Sequence, residues 1–255
     1  VDGNGNLFIV DQDNHRVRAV AAGTGLISTV AGTGRAEYGG DGGPASGALL
    51  KFPAGVALDR DGNLFIADQG NQRMRRIAVG TGIITTVVAL GVSGVSGGGG
   101  SSTNPFLDQP SGLAIDTTGN LLIVDKGNGR VLKVVAGTGI IATVAGGAAL
   151  ALGDGGAATQ AKLARPVAVA LDPLGNLFIA DQAYYRIRRV DAATGVITTV
   201  AESDPNDCLQ LPGSGGAPPP CAPPKGPTGV AVNSSGNVFV ADSYNVLRLG
   251  AGTGP

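Results

Sequence analysis

A heptapeptide made of Gly-Asn, four apolar residues and Asp occurs five times in this chain, and it constrains the fold more than any other feature. The first copy is Gly5-Asn6-Leu7-Phe8-Ile9-Val10-Asp11, and the others occupy residues 62–68, 119–125, 175–181 and 236–242. The closing aspartates, Asp11, Asp68, Asp125, Asp181 and Asp242, lie 57, 57, 56 and 61 residues apart. A fixed period of this size marks one supersecondary unit that is repeated and stacked.

Each unit reads as four short strands. Pro53-Ala54-Gly55-Val56-Ala57-Leu58 is aliphatic and closed by the turn former Asp61-Gly62, which predicts a first strand, a. Asn63-Leu64-Phe65-Ile66-Ala67 is apolar without alternation, as expected of a strand b covered on both faces. Asp68-Gln69-Gly70-Asn71 supplies turn chemistry, and Arg73-Met74-Arg75-Arg76-Ile77 mixes cationic and apolar side chains like a half-exposed strand c. Beyond Gly80-Thr81-Gly82, Ile84-Thr85-Thr86-Val87 reads as strand d with threonines toward solvent. No segment carries the apolar spacing of a helix. The expectation is an all-β chain of β-propeller blades in one domain, with repeats at about 1–50, 51–107, 108–163, 164–224 and 225–255.

These units resemble NHL repeats, above all a bacterial exported type with a Gly-Asp-Gly-Gly-Pro-Ala block ahead of strand a. Such a block stands at Gly40-Asp41-Gly42-Gly43-Pro44-Ala45 and, less perfectly, at Gly153-Asp154-Gly155-Gly156-Ala157. The resemblance implies fold more firmly than function. Aligning the repeats, Val1 falls at the end of a strand a and Gly252-Thr253-Gly254 falls between strands c and d. Eighteen strands are therefore expected, and the chain reads as part of a longer protein with a five- or six-bladed propeller.

A net charge of −1 supplies no attraction to nucleic acid or to anionic lipid. The 44 glycines fall in register with the turns and 43% of the residues are hydrophobic, so the chain reads as globular and not disordered. Residues 134–153 carry no charge, yet they align with the c–d turn and strand d of the other copies and are not expected to span a membrane. Cys208 and Cys221 share a proline-rich loop found in no other repeat. A disulfide between them, with two free thiols as the alternative, points to an extracellular or cell-surface location.

Residues for catalysis are few. His15 is the sole histidine and aligns with turn residues, which argues against a zinc centre or a Ser-His-Asp triad. The five repeated aspartates invite a calcium reading. Their periodicity favours one structural task in each copy, the acceptance of backbone N–H bonds in the b–c turn. Arg16, Arg73, Arg130 and Arg186, which open strand c, are read in the same way, with Val246 breaking the series. Neither metal nor cofactor is expected.

Function is then sought where the repeats differ. The b–c and d–a connections share one face of a blade, so the variable segments 31–52, 90–109, 146–165 and 202–225 are grouped there. Tyr184 and Tyr185 replace the small polar residues of other b–c turns, and Tyr244 stands in the next one, which makes them candidates for a protein or glycan contact. The resulting expectation is a non-enzymatic binding or scaffold domain. One alternative is a structural subunit in which copies of the chain complete each other's blades. The other is a calcium-dependent lactonase or esterase like the gluconolactonase and paraoxonase propellers that this fold resembles. Glu37 and Glu202 are the only glutamates available to it, both in outer loops.

Overall fold

A computed structural model describes residues 1–88, 106–148, 152–203, 209–210, 226–242 and 245–249. Cys208, Cys221 and Tyr244 lie outside these residues.

The fold is all-β, and its sheets are blades of the β-propeller type. The first contains β1 (Leu7–Asp11), β2 (Arg16–Val20) and β3 (Ile27–Ala31). The second runs through β4 (Pro53–Leu58), β5 (Leu64–Asp68), β6 (Arg73–Ile77) and β7 (Ile84–Val88). The third holds β8 (Pro110–Ile115), β9 (Leu121–Asp125), β10 (Arg130–Val134) and β11 (Ile141–Gly146). The fourth adds β12 (Pro166–Leu171), β13 (Leu177–Asp181), β14 (Arg186–Val190), β15 (Ile197–Ser203) and β16 (Leu209–Gln210). The fifth consists of β17 (Gly229–Val232), β18 (Val238–Ala241) and β19 (Val246–Leu249). Helix is limited, among the described residues, to 3-10 turns at Ala45–Gly47, Gln69–Asn71, Ala158–Gln160 and Gln182–Tyr184. The eighteen expected strands are all present. The nineteenth, β16, comes from the cysteine-bearing insertion and pairs antiparallel with the free edge of β15.

Two compact units divide the chain, residues 1–121 with 134–142 and residues 122–133 with 143–255. In the first, the innermost strand β4 lies beside both β1 and β8. Gly55 permits this approach, because a Cβ there would run into the backbone carbonyl of Ser111. Val17, Ala31, Leu50, Leu64, Ile66 and Ile84 pack there as one core cluster, with Phe8 and Leu58 at its margin. In the second unit β12 lies beside β17, and Phe178, Ile187, Val200, Val238 and Val240 form the corresponding cluster.

The repeated Gly-Asn has a mechanical explanation. The Asn63 backbone N–H and Nδ2 donate to Asp59 in the a–b turn at 2.8 and 2.7 Å, while its Oδ1 accepts the Val79 N–H of the c–d turn at 3.0 Å. Asn120 does the same between Asp116 and Ala136, and Asn176 between Asp172 and Ala192. One side chain thus ties two turns at the same end of a blade. The preceding glycine takes a left-handed conformation, with φ of 89° at Gly62 and 84° at Gly175.

Both glycine-rich blocks pair with the edge of a strand d through isolated antiparallel bridges, Pro44 with Ile83 and Ala157 with Val196. The Gly42 N–H donates to the Ile84 carbonyl at 2.8 Å, the Ile84 N–H to Gly43 at 3.0 Å and the Ala45 N–H to Gly82 at 2.9 Å. In the other unit Gly155, Gly156 and Ala158 make the same three bonds with Ile197 and Gly195. Each block pairs with the outer edge of strand d, β7 or β15, of the blade that follows it.

Candidate functional site

The b–c turns and the d–a connections meet, as their topology requires. In the second blade the Gly70 N–H donates to the Lys51 carbonyl at 2.7 Å, and Asn71 Nδ2 donates to the Glu37 carbonyl at 2.9 Å. In the fourth, the Ala183 N–H donates to the Ala164 carbonyl at 2.9 Å.

Asp68 sits fully buried beneath this junction. It accepts the Lys51 N–H at 2.8 Å, Asn71 Nδ2 at 2.9 Å and the Arg75 guanidinium at 3.2 Å. Burial nevertheless pushes its carboxyl above the usual range. Arg75, itself without solvent exposure, also reaches the Gly39 carbonyl at 3.2 Å and Asp41 of the glycine-rich block at 2.7 Å. Partial burial opposes ionisation of Asp41, but bonds from Thr86, Arg75 and Tyr38 outweigh it and hold the carboxyl low. The Tyr38 ring lies 3.9 Å beneath the Arg73 guanidinium.

The fourth blade repeats the arrangement with one part replaced. Arg188 binds Asp154 at 2.8 Å and the Leu152 carbonyl at 2.8 Å, and Asp181 accepts the Ala164 N–H at 2.7 Å. Tyr184 stands where Asn71 stands in the second blade. No donor reaches Asp181 Oδ2, and Arg188 Nη1 also lacks an acceptor. Burial accordingly pushes the Asp181 carboxyl up to about 7, against the pull of the Ala164 amide, Arg188 and Arg186.

In Asp68 and Asp181 the accepted amide belongs to the d–a connection, and not to the b–c turn as the sequence suggested. Asp242 does take an amide within the turn, from Asn245 at 2.7 Å. Asp11 accepts Asn14 Nδ2 at 2.8 Å and lies 3.7 Å from Arg18. Asp125 binds Arg130 Nε at 2.7 Å and Asn128 at 2.9 Å. The arginines that open strand c do not share one task. Arg16 donates to the Thr33 carbonyl, Arg73 lies over Tyr38, Arg130 is buried on Asp125, and Arg186 pairs with Glu202 at 3.1 Å. Sequence reasoning missed Arg75 and Arg188. The available signal was their constant distance of 34 residues from Asp41 and Asp154.

Tyr184 and Tyr185 are half-buried at the b–c turn. Tyr185 adopts the left-handed conformation, with φ of 56°, and Lys162 Nζ lies 5.9 Å from the Tyr184 ring centroid. His15 occupies the matching left-handed position of the first blade. Its Nδ1 accepts the Phe52 N–H at 3.3 Å, and the two rings meet edge to face at 4.7 Å. Among the described residues, no three His, Cys, Asp or Glu side chains converge as a metal site would require. At the opposite end of the blades, a cleft of about 350 Å³ in the first unit is walled by Phe8, Val30, Leu58, Leu64 and Ile77.

Residues 50–77, 107–134 and 225–246 match the family described as NHL repeat. The chain is 34% identical over 92 residues to Protein SUPPRESSOR OF QUENCHING 1, chloroplastic, of Arabidopsis thaliana, a match that covers 36% of this chain and 8% of that protein. It is 30% identical over 248 residues to Teneurin-1 of Mus musculus, covering 86% of this chain and 9% of the relative. The chain thus spans about a tenth or less of these relatives. Among solved structures, a chain of a nidogen/laminin complex superposes with a TM-score of 0.64 at 15% identity, over 97% of this chain and 71% of the other. A gluconolactonase from Xanthomonas campestris gives 0.61 at 13% identity, over 96% and 69%. Identities this low speak for the shared fold alone.

Proposed function

From its place among the NHL-repeat β-propellers, we propose that this chain is a non-enzymatic binding domain that engages a protein or glycan through the face formed by its b–c turns and d–a connections. The observation that carries this reading is the use made of the carboxylates. Asp68 and Asp125 are consumed by internal bonds to arginine, asparagine or backbone. Residues that break the repeat, Tyr184 and Tyr185, are partly open to solvent at their b–c turn. The likeness to a chain of a nidogen/laminin complex supports protein docking on such a fold, and the likeness to a gluconolactonase supplies the competing hydrolase reading.

The test is a panel of immobilised glycans and extracellular-matrix proteins, with any ligand found then measured against the Tyr184→Ala/Tyr185→Ala variant. The reading expects a loss of at least about 1 kcal/mol, roughly fivefold in affinity, in a variant that keeps its melting temperature. Calcium-dependent turnover of a lactone or ester, abolished by Asp68→Asn, would replace it with the hydrolase. Export of the protein is part of the same proposal and rests on the Cys208–Cys221 pair. A mass about 2 Da below that of the reduced chain is expected from non-reducing preparations, one hydrogen being lost from each thiol.

A further inference from the structure

The arginine within strand c and the glycine-rich block occur together. The second and fourth blades have Arg75 and Arg188, and each outer strand is covered by a block whose aspartate binds that arginine. The third and fifth have leucine at this position, Leu132 by spacing and Leu247 by register, since Leu247 faces Val240 as Arg75 faces Ile66. No Gly-Asp-Gly-Gly block precedes either of them. The first blade has the arginine, Arg18, and this chain's two blocks are already placed on β7 and β15.

The surroundings of Arg18 match an unfilled copy of the site. Its side chain is 27% exposed where those of Arg75 and Arg188 are 0% exposed. Among the described residues its polar partners are Asp11 at 3.7 Å and the Ser28 carbonyl at 3.4 Å. Thr29 stands where Thr199 donates to Asp154 in the fourth blade. Ile27 faces Val20 as Ile84 faces Ile77, which turns the backbone amide and carbonyl of Ile27 to the free edge of β3. Leu26 and Ile27 are 71% and 53% exposed, whereas Ile84 and Ile197 are fully buried.

We infer that the outer edge of β3, together with Arg18 and Thr29, is a docking site for an extended peptide of the Gly-Asp-Gly-Gly-Pro-Ala type. The peptide adds as a short antiparallel strand: its second and third glycines bond the Ile27 backbone, and its aspartate pairs with Arg18. This surface shares no residue with the tyrosine site and does not depend on the binding role given to it.

A synthetic peptide of residues 38–50 is the probe in trans, and fusion of residues 38–57 directly ahead of Val1 presents the same block at high effective concentration. Amide exchange at Ile27 is the readout. The fused block is expected to slow it by about tenfold or more, and the peptide is expected to slow it in a concentration-dependent way. Arg18→Leu, which copies the third blade, and Asp41→Asn within the added segment should each remove most of that protection, with no further loss when combined. Unchanged exchange at Ile27 in the fusion protein, or protection that survives Arg18→Leu, overturns the inference.

Discussion

At the residue scale, the comparison of Asp68 with Asp181 shows what one substitution in a repeat does. Both carboxylates are buried and both accept an amide from the d–a connection, but Asn71 donates to the first while Tyr184 offers the second no such donor. The consequence is a pH dependence. The Asp181 carboxyl titrates at about 7 in the folded protein, against 3.8 ordinarily. From about pH 4 to pH 7 the folded state therefore holds a proton that the unfolded chain has released, and stability falls as pH rises through that window. Urea midpoints at pH 5 and pH 7.5 should differ for the native chain, and Asp181→Asn should flatten the difference, an effect on the order of 2 kcal/mol. Tyr184→Asn restores the donor that Asn71 provides and should raise stability at pH 7.5 by about 1 kcal/mol. A slope unaltered in Asp181→Asn would place the titrating group elsewhere.

At the scale of elements, the glycine-rich block acts as a clasp. It hydrogen-bonds along the edge of β7 and carries the carboxylate that Arg75 needs in order to stay buried. Asp41→Ala leaves that guanidinium with Asp68 alone among carboxylates, at a cost of about 1–3 kcal/mol, toward the lower end because Asp41 is itself partly exposed. Exchange at Ile84 should quicken while amides of β5 keep their protection. Arg75→Leu in the same protein should recover part of the loss, since the third blade buries Leu132 at the equivalent position without any block. Equal and additive losses would show that the carboxylate and the guanidinium act independently.

At the scale of the whole molecule, a net charge of −1 provides no long-range field to draw in a charged ligand, so recognition rests on local contacts. Asp68 and Asp125 are committed to protein donors and burial disfavours the ionised form of Asp181, and the melting temperature should accordingly be the same in calcium and in chelator. A rise of several degrees in calcium would favour the alternative lactonase reading over the binding domain. The strand order and the positions of the turns were legible in the sequence, because glycine, asparagine and proline act on their immediate neighbours and the same choices recur at a spacing of about 57 residues. Local pattern could not reveal which residue answers which across a gap of 34, and so Arg75 and Arg188 read as half-exposed strand residues until the fold laid each block across the next blade. Nor could it tell that the amide accepted by Asp68 comes from Lys51, 17 residues earlier in the chain. The sequence by itself determined the repeated unit, since that depends on backbone preferences spanning a few residues; only the tertiary structure decided which carboxylates are buried and what they bind, since burial is a property of elements brought together from separate repeats.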